Sequence, residues 1–337
     1  MQDHSEYPEQ NPDQDNGSGP MPQEPLFVFG GTGVIGRAFQ SVSRERGQPM
    51  ISVSLDPAQS SDGFTNLQAD VSEITAGHLA KILQDTRPGS IVDLLGLPER
   101  LSVVVADYAR NAGVSVAMIS SCLLYDHDGS APVDEFCRTV TQETSRHPYH
   151  LTKLAREAFW HGRQDVDWRI FRTHHVLGYG SLLGCVPPMN RDPELPDKLR
   201  KSEPIRLANG GNLDLSFVHP LDFARNSLIL MHDPDARQTV LPLVNPVPVN
   251  ARSYYEQIAE FLGAPKPNIV TGDYDPDDFW ACTARNNVFA GRHQSLEKLH
   301  FAHGIADCIR DALTMPADQY RQAGKFMARR ISGNDAQ

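Results

Sequence analysis

The sequence predicts an alternating α/β protein built on a doubly wound parallel sheet. Three observations lead to that expectation. Leu26-Phe27-Val28-Phe29 is a short apolar run that stops at glycines, the pattern of a strand buried on both faces. Comparable runs recur at Ile51–Leu55, Ser90–Leu95, Ser115–Ile119 and Asp167–Phe171. The intervening stretches are helix-like, as in Leu101–Asn111 with Gly113 placed as a C-cap. Strands alternating with helices at this spacing build βαβ units.

The 337 residues suffice for one such domain and a smaller lobe. A formal net charge of −11 argues against a protein that tracks nucleic-acid phosphates, which needs a basic face. The cysteines, Cys122, Cys137, Cys185, Cys282 and Cys308, are odd in number and form no C-x-x-C. That excludes a zinc knuckle or a disulfide framework and suggests reduced thiols in the cytoplasm. No apolar run approaches the ~20 residues of a membrane helix. No Lys or Arg precedes Arg37, so neither a secretory leader nor a transit peptide is expected.

Residues 1–24 are polar and acidic, and the expectation is a disordered tail. The parallel-sheet domain is expected over 25–178. Beyond it the texture turns rich in Pro, Gly and Asn, with helix candidates at Pro193–Lys201, Ser253–Leu262, Leu296–Met315 and Asp318–Arg330. Residues 179–330 are therefore assigned mainly to a substrate-facing lobe, with 216–230 returning to the first domain.

Gly30-Gly31-Thr32-Gly33-Val34-Ile35-Gly36 follows the first strand and opens a helix. Glycines 30, 33 and 36 suit a tight turn, close approach to a pyrophosphate, and tight helix–strand packing. The phosphates would meet amide donors at the N-terminus of the helix, including those of Val34 and Ile35. Asp56 lies about 20 residues past the last glycine, where a carboxylate can bind an adenosine ribose and repel a 2′-phosphate. That favours NAD over NADP; a turn residue before Pro57 is the plainer alternative. Asp70 and Val71 fit a second contact on the adenine side.

Tyr149 and Lys153 lie four apart and share a helix face. The same helix carries an apolar stripe, Leu151, Leu154, Ala155, Ala158 and Phe159, expected to face the core. A nearby ammonium favours the phenolate, allowing Tyr149 to exchange a proton with a substrate hydroxyl. Upstream, Ser120-Ser121-Cys122-Leu123-Leu124-Tyr125 follows a strand, where a hydroxyl can steady a reacting oxygen.

Together with Phe171-Arg172, Gly178 and Ser216-Phe217-Val218-His219, these motifs make the chain resemble the extended short-chain dehydrogenase/reductases, the NAD-dependent epimerase/dehydratase family. The resemblance implies a Rossmann domain with bound NAD. It implies Ser121, Tyr149 and Lys153 as the catalytic set, Asp56 on the ribose, and Leu95 with Gly30, Gly33, Val34, Ile35, Gly36, Asp70, Val71, Tyr149 and Lys153 around the cofactor. It also implies a homodimer through helices at 101–111 and 149–162.

Three departures bear on the reaction. Sugar 4,6-dehydratases carry acidic residues after the catalytic hydroxyl; here stand Cys122 and Leu123, so elimination lacks its acid and base. Cys122 is a candidate substrate contact, or a buried structural thiol. Leu215-Ser216 replaces the Arg-Asp whose arginine grips a nucleotide diphosphate in the family, with Arg191 or Arg206 as candidate substitutes. His175 occupies a position that commonly faces substrate; it either binds or relays a proton there, or is a hydrogen-bonded structural residue.

The expected activity is hydride transfer at a secondary alcohol or ketone of a sugar-like metabolite, giving net oxidation or epimerisation. Reduction of a non-sugar aldehyde or ketone, or dinucleotide sensing without chemistry, are the alternatives. No metal site is expected. His300 and His303, three apart on a predicted helix, lack a third ligand. Loop capping accounts for His147 and His150, core packing for Tyr254-Tyr255 and Phe279-Trp280, and a solvated helix face for Lys325–Arg330.

Overall fold

The computed structural model describes residues 23–56, 60–145, 147–184, 192–273 and 283–316. The acidic tail through residue 22, Phe279-Trp280, Arg191 and the helix candidate Asp318–Arg330 lie outside these residues. In the first half, β1 (Leu26–Phe29), α1 (Val34–Glu45), β2 (Met50–Ser54), β3 (Phe64–Gln68), α2 (Ala76–Thr86), β4 (Ser90–Asp93), α3 (Glu99–Ala112), β5 (Ser115–Ser121), α4 (Pro148–His161) and β6 (Trp168–Thr173) alternate. The second half holds β7 (His175–Val176), α5 (Leu195–Arg200), β8 (Ile205–Leu207), β9 (Asp214–Leu215), β10 (Phe217–Val218), α6 (Pro220–Met231), β11 (Thr239–Pro242), β12 (Val249–Asn250), α7 (Ala251–Phe261), β13 (Ile269–Thr271) and α8 (Ile305–Leu313).

Seven strands form one parallel sheet in the order β11-β6-β5-β4-β1-β2-β3. The order reverses between β1 and β4, and the crevice at their C-terminal ends is where such sheets bind ligands. β1 and β4 are buried along their whole length; β1 is apolar throughout, and β4 carries the polar Ser90 and Asp93 at its two ends. On one sheet face Phe39 and Val42 of α1 pack with Phe223 and Leu228 of α6. On the other, Leu79 and Leu83 of α2, Leu101 and Val105 of α3 and Trp160 of α4 close a second core. α3 ends at Gly113 with φ of 70°, the left-handed cap foreseen in the sequence.

β11 adds a seventh strand that the sequence reading did not name, and it pairs with β6. Arg169 of β6 is buried, yet its guanidinium donates to the carbonyls of Leu230 and Asp233 (both 2.8 Å), satisfying the end of α6. The chain leaves the sheet after β6, returns for α6 and β11, and leaves again. The outer residues gather around Leu183, Tyr254, Tyr255, Ile258 and Ile309. Tyr254 donates its hydroxyl to the Leu183 carbonyl at 2.8 Å, so this tyrosine pair serves packing.

The single helix expected over Leu296–Met315 is not formed. A 3₁₀ turn at Gln294–Lys298 and α8 are separated by an extended stretch that holds His300 and His303. Side chains of α6 draw this stretch away from helical geometry: Asn226 bonds both backbone groups of His300, and Asp222 takes the backbone and ring N–H of His303. Beside it, His219 donates to Asp311 at 2.9 Å and stacks on His303 at 4.0 Å. None of the helices among the described residues is long and apolar enough to cross a membrane.

A Cβ on Gly36 would overlap the carbonyl of Gly30 and the backbone of Gly31, neither of which is a flexible side-chain end. Gly36→Val is expected to destabilise the protein by about 1–3 kcal/mol, read as a lower urea midpoint with unchanged m.

Candidate active site

The glycine loop begins at Gly30, whose φ of 91° is open to glycine and strained for other residues. Gly33 is the N-cap of α1 and supplies no side chain to cap it; nor does the first turn carry an acidic residue. Nothing approaches a Cβ at Gly33 closer than the Gly30 carbonyl at 3.5 Å, so its glycine answers to no protein neighbour. Helices α2, α4, α6 and α7 are capped by Thr75, His147, His219 and Asn250. α1 instead leaves amide donors, including those of Val34 and Ile35, at a bare positive helix end. A pyrophosphate fits this cradle.

Asp56 follows β2 and is exposed, with Pro57 outside the described residues. Asp70 follows the neighbouring β3 and accepts from the Ser72 amide at 2.8 Å; that bond holds its carboxyl below the ordinary range. The Val71 carbonyl accepts from Arg100, which also holds the carbonyls of Ser72 and Ile74. Both acids thus stand at the C-terminal edge of the outer strands. Leu95 lies across the reversal point, its side chain directly under Gly30.

Leu95 is fixed from two sides. Asp93, buried at the end of β4, accepts from the amides of Leu95 (3.0 Å), Gly96 (2.7 Å) and Leu97 (2.8 Å). Arg156 of α4 donates to the Leu95 carbonyl at 3.3 Å. Burial pushes the Asp93 carboxyl up.

Ser121 ends β5, and its hydroxyl accepts from the Leu123 amide at 3.2 Å. Lys153 donates its ammonium to the carbonyl of Ile119, two residues upstream, at 2.8 Å. This bond seats α4 against the strand end that carries Ser121. Burial is the main cause that depresses the Lys153 ammonium to about 8, with Asp93 opposing it. Tyr149 stands one turn earlier on α4 and is 38% exposed, accessible to a ligand. His147 caps the helix by accepting from the Tyr149 amide, and His150 bonds Ser145, so both serve the loop.

Of the apolar stripe expected from the sequence on α4, Phe159 packs on the second core and the rest does not form the inner face. Ala155 and Ala158 are exposed, whereas Glu157 and Trp160 are buried. The physical reason is a polar cluster. Glu157 accepts a fork from Arg172 (Nε 3.0 Å, Nη2 2.6 Å) and a bond from Ser120 Oγ at 2.5 Å. The Arg172 guanidinium sits 4.5 Å over the Tyr125 ring. Ser120, Glu157 and Arg172 are each at least 95% buried, so removing one charge would strand the other at a cost of about 3–5 kcal/mol. Asp93, Arg156, Glu157 and Arg172 were missed as functional candidates. Glu157 had a signal, since it extends Tyr149 and Lys153 by another four residues.

Cys122 is fully buried, donates to the Arg172 carbonyl at 3.4 Å, and burial drives its thiol far up. His175 is also buried, in β7 beside Phe217, with its ring 4.1 Å from that of His174. The adjacent Ser216 accepts at its carbonyl from His174 and at its hydroxyl from the Phe289 amide. Arg206 lies exposed on β8.

Because Lys153 holds its proton less tightly folded than unfolded, the unfolded chain binds more protons between about pH 8 and 10.5. This residue's contribution therefore makes native stability rise across that window, and its penalty is complete below it. Lys153→Met is expected to stabilise the protein at pH 7 by on the order of 1–3 kcal/mol, an advantage that shrinks as pH rises through that window. Urea unfolding at pH 7 and pH 10 checks both sign and trend.

Comparison with known proteins extends this geometry. The Bordetella bronchiseptica enzyme WbmH, solved with NAD+, is 16% identical over 90% of this chain and 100% of its own, at a TM-score of 0.69. The epimerase Mth375 of Methanothermobacter thermautotrophicus is 14% identical over 91% and 95%, at 0.68. MoeE5, solved with UDP-glucuronic acid and NAD, is 18% identical over 88% and 99%, at 0.64. No curated protein matches the sequence. The model of the NAD-dependent epimerase/dehydratase family matches residues 26–241, from β1 to the end of the seven-stranded sheet, and the chain belongs to that family.

Proposed function

We propose that the protein is an NAD-dependent oxidoreductase or epimerase acting on a secondary alcohol of a sugar-like metabolite. The bond from Lys153 to the Ile119 carbonyl is the observation that carries the reading, because it ties the Tyr149 helix to the strand end bearing Ser121. Gly30, Gly33, Val34, Ile35 and Gly36 would hold the pyrophosphate, with Asp56, Asp70 and Val71 on the adenosine side and Leu95 at the reversal point. When bound, NAD supplies hydride acceptance and donation. Tyr149 takes the substrate hydroxyl proton, Lys153 favours the resulting phenolate, and Ser121 steadies the substrate oxygen. His175 and Cys122 act as packing beside that space. MoeE5 and WbmH support a sugar-like substrate and NAD by likeness of fold.

Leu215-Ser216 in place of the family's Arg-Asp favours one second reading, a ketone reductase on a substrate without a diphosphate. Tyr149→Phe is expected to lower turnover by about 10²–10⁴-fold while the Kd for NAD by calorimetry stays within threefold. Failure of the wild-type protein to take up NAD would sink the reading. A panel of UDP-sugars and simple ketones, followed by NADH absorbance and product analysis, separates the two substrate classes.

The outward stripe of α4 supports a homodimer. Leu151 and Leu154 are half-buried, Ala155 and Ala158 exposed, and Val103 of α3 is exposed as well, whereas Phe159 packs inward on the second core. Two copies pairing these helices would cover an apolar face that the monomer leaves to water. Cys122, Cys137 and Cys308 are unbridged, in keeping with a cytoplasmic enzyme. Ala158→Glu is expected to halve the sedimenting mass; an unchanged mass in both proteins would refute this interface.

A further inference from the structure

We infer that Glu157 is the positioning residue that fixes the Tyr149–Lys153 turn of α4 against the strand ends carrying Ser121. The inference rests on the catalytic reading above and adds a role for a residue that touches neither substrate nor cofactor. Tyr149, Lys153 and Glu157 recur every four residues on α4, so holding Glu157 holds the other two. Glu157 is held from two strands at once. Ser120, next to Ser121 on β5, and Arg172, next to Thr173 on β6, both donate to its carboxylate. Ser120 and Arg172 are register partners in the sheet, so the three groups form one bracket across it.

A bracket of this chemistry does what packing alone would not. Apolar contacts tolerate a helix that slides or turns by a fraction of a residue, whereas a planar fork loses its bonds. The 1.5 Å rise per residue means that a slip of one position would draw Lys153 off the Ile119 carbonyl. The Glu157 carboxylate also raises the Lys153 ammonium through its charge. Placement is therefore read in variants that keep that charge.

The test uses Ser120→Ala in the full chain, with 13C-labelled lysine and the Lys153 signal assigned through Lys153→Arg. The NMR titration of Lys153 in the wild-type protein is expected near 8. Ser120→Ala keeps both charges of the ion pair and removes one strand of the bracket. The titration should rise toward the ordinary lysine value by about half a unit, a threefold change in proton affinity, as the ammonium swings from the carbonyl to water. An unchanged or lowered titration in the folded variant overturns the proposal. If Ser120→Ala does not fold, Arg172→Lys decides, since it keeps both charges and breaks the planar fork. A rise of the same size supports the proposal and no rise refutes it. The titration is run without cofactor. Loss of NAD uptake by the wild-type protein would overturn the functional reading and leave this outcome separately readable.

Discussion

Backbone meets backbone where α1 starts, and the rest of the molecule is arranged around that contact. Gly36 lies against the carbonyl of Gly30 and the backbone of Gly31, a spacing that admits no side chain. Only that approach lets α1 begin directly over β1 with its first amides bare. The absent side chain of Gly30 in turn leaves room for Leu95, the residue through which β4 meets the loop. Because every strand of the main sheet is parallel, the exits of β2, β3 and β5 lie on the same edge, and Asp56, Asp70 and Ser121 follow from them.

α4 brings a different economy to the other half of that edge. Its inner face combines the ionic cluster at Lys153 and Glu157 with Trp160 and Phe159 in the second core, and its outer face is partly apolar, a departure from the simple two-sided pattern of an amphipathic helix. Buried ion pairs contribute little net stability, but they resist displacement when fully hydrogen-bonded. Lys153 works against stability as well, because its ammonium is desolvated with Asp93 only partly offsetting the loss. A helix that is costly on its inner side and sticky on its outer side is a helix kept for its function.

Most of the sheet was legible because strand and helix signals there are local. Leu26–Phe29, the glycine loop and Gly113 each announce themselves within a few residues. Ser121, Tyr149 and Lys153 were legible as types at fixed spacing, though spacing alone says nothing of the carbonyl that Lys153 finds. β11 escaped because Thr239–Pro242 is short and ends in proline, and its strand identity depends on β6 alongside it. The face of α4 was misjudged because Glu157 counts as polar until Arg172 is known to stand opposite. His300 and His303 were assigned to a helix for a similar reason: their partners, Asn226 and Asp222, lie more than seventy residues away.

The return of the chain to the sheet between two excursions has a mechanical consequence. The outer residues are joined to the sheet at three crossings: the exit of β6, the entry to α6 at Pro220 and the exit of β11. Each added crossing removes a direction in which a body can turn, so three anchorages hold far more firmly than one. His219, at the second crossing, bonds Asp311 of α8 and so pins the later part of the chain to the same spot. The outer residues are mounted on the sheet like a shelf on three pegs, not hung from it as a pendant.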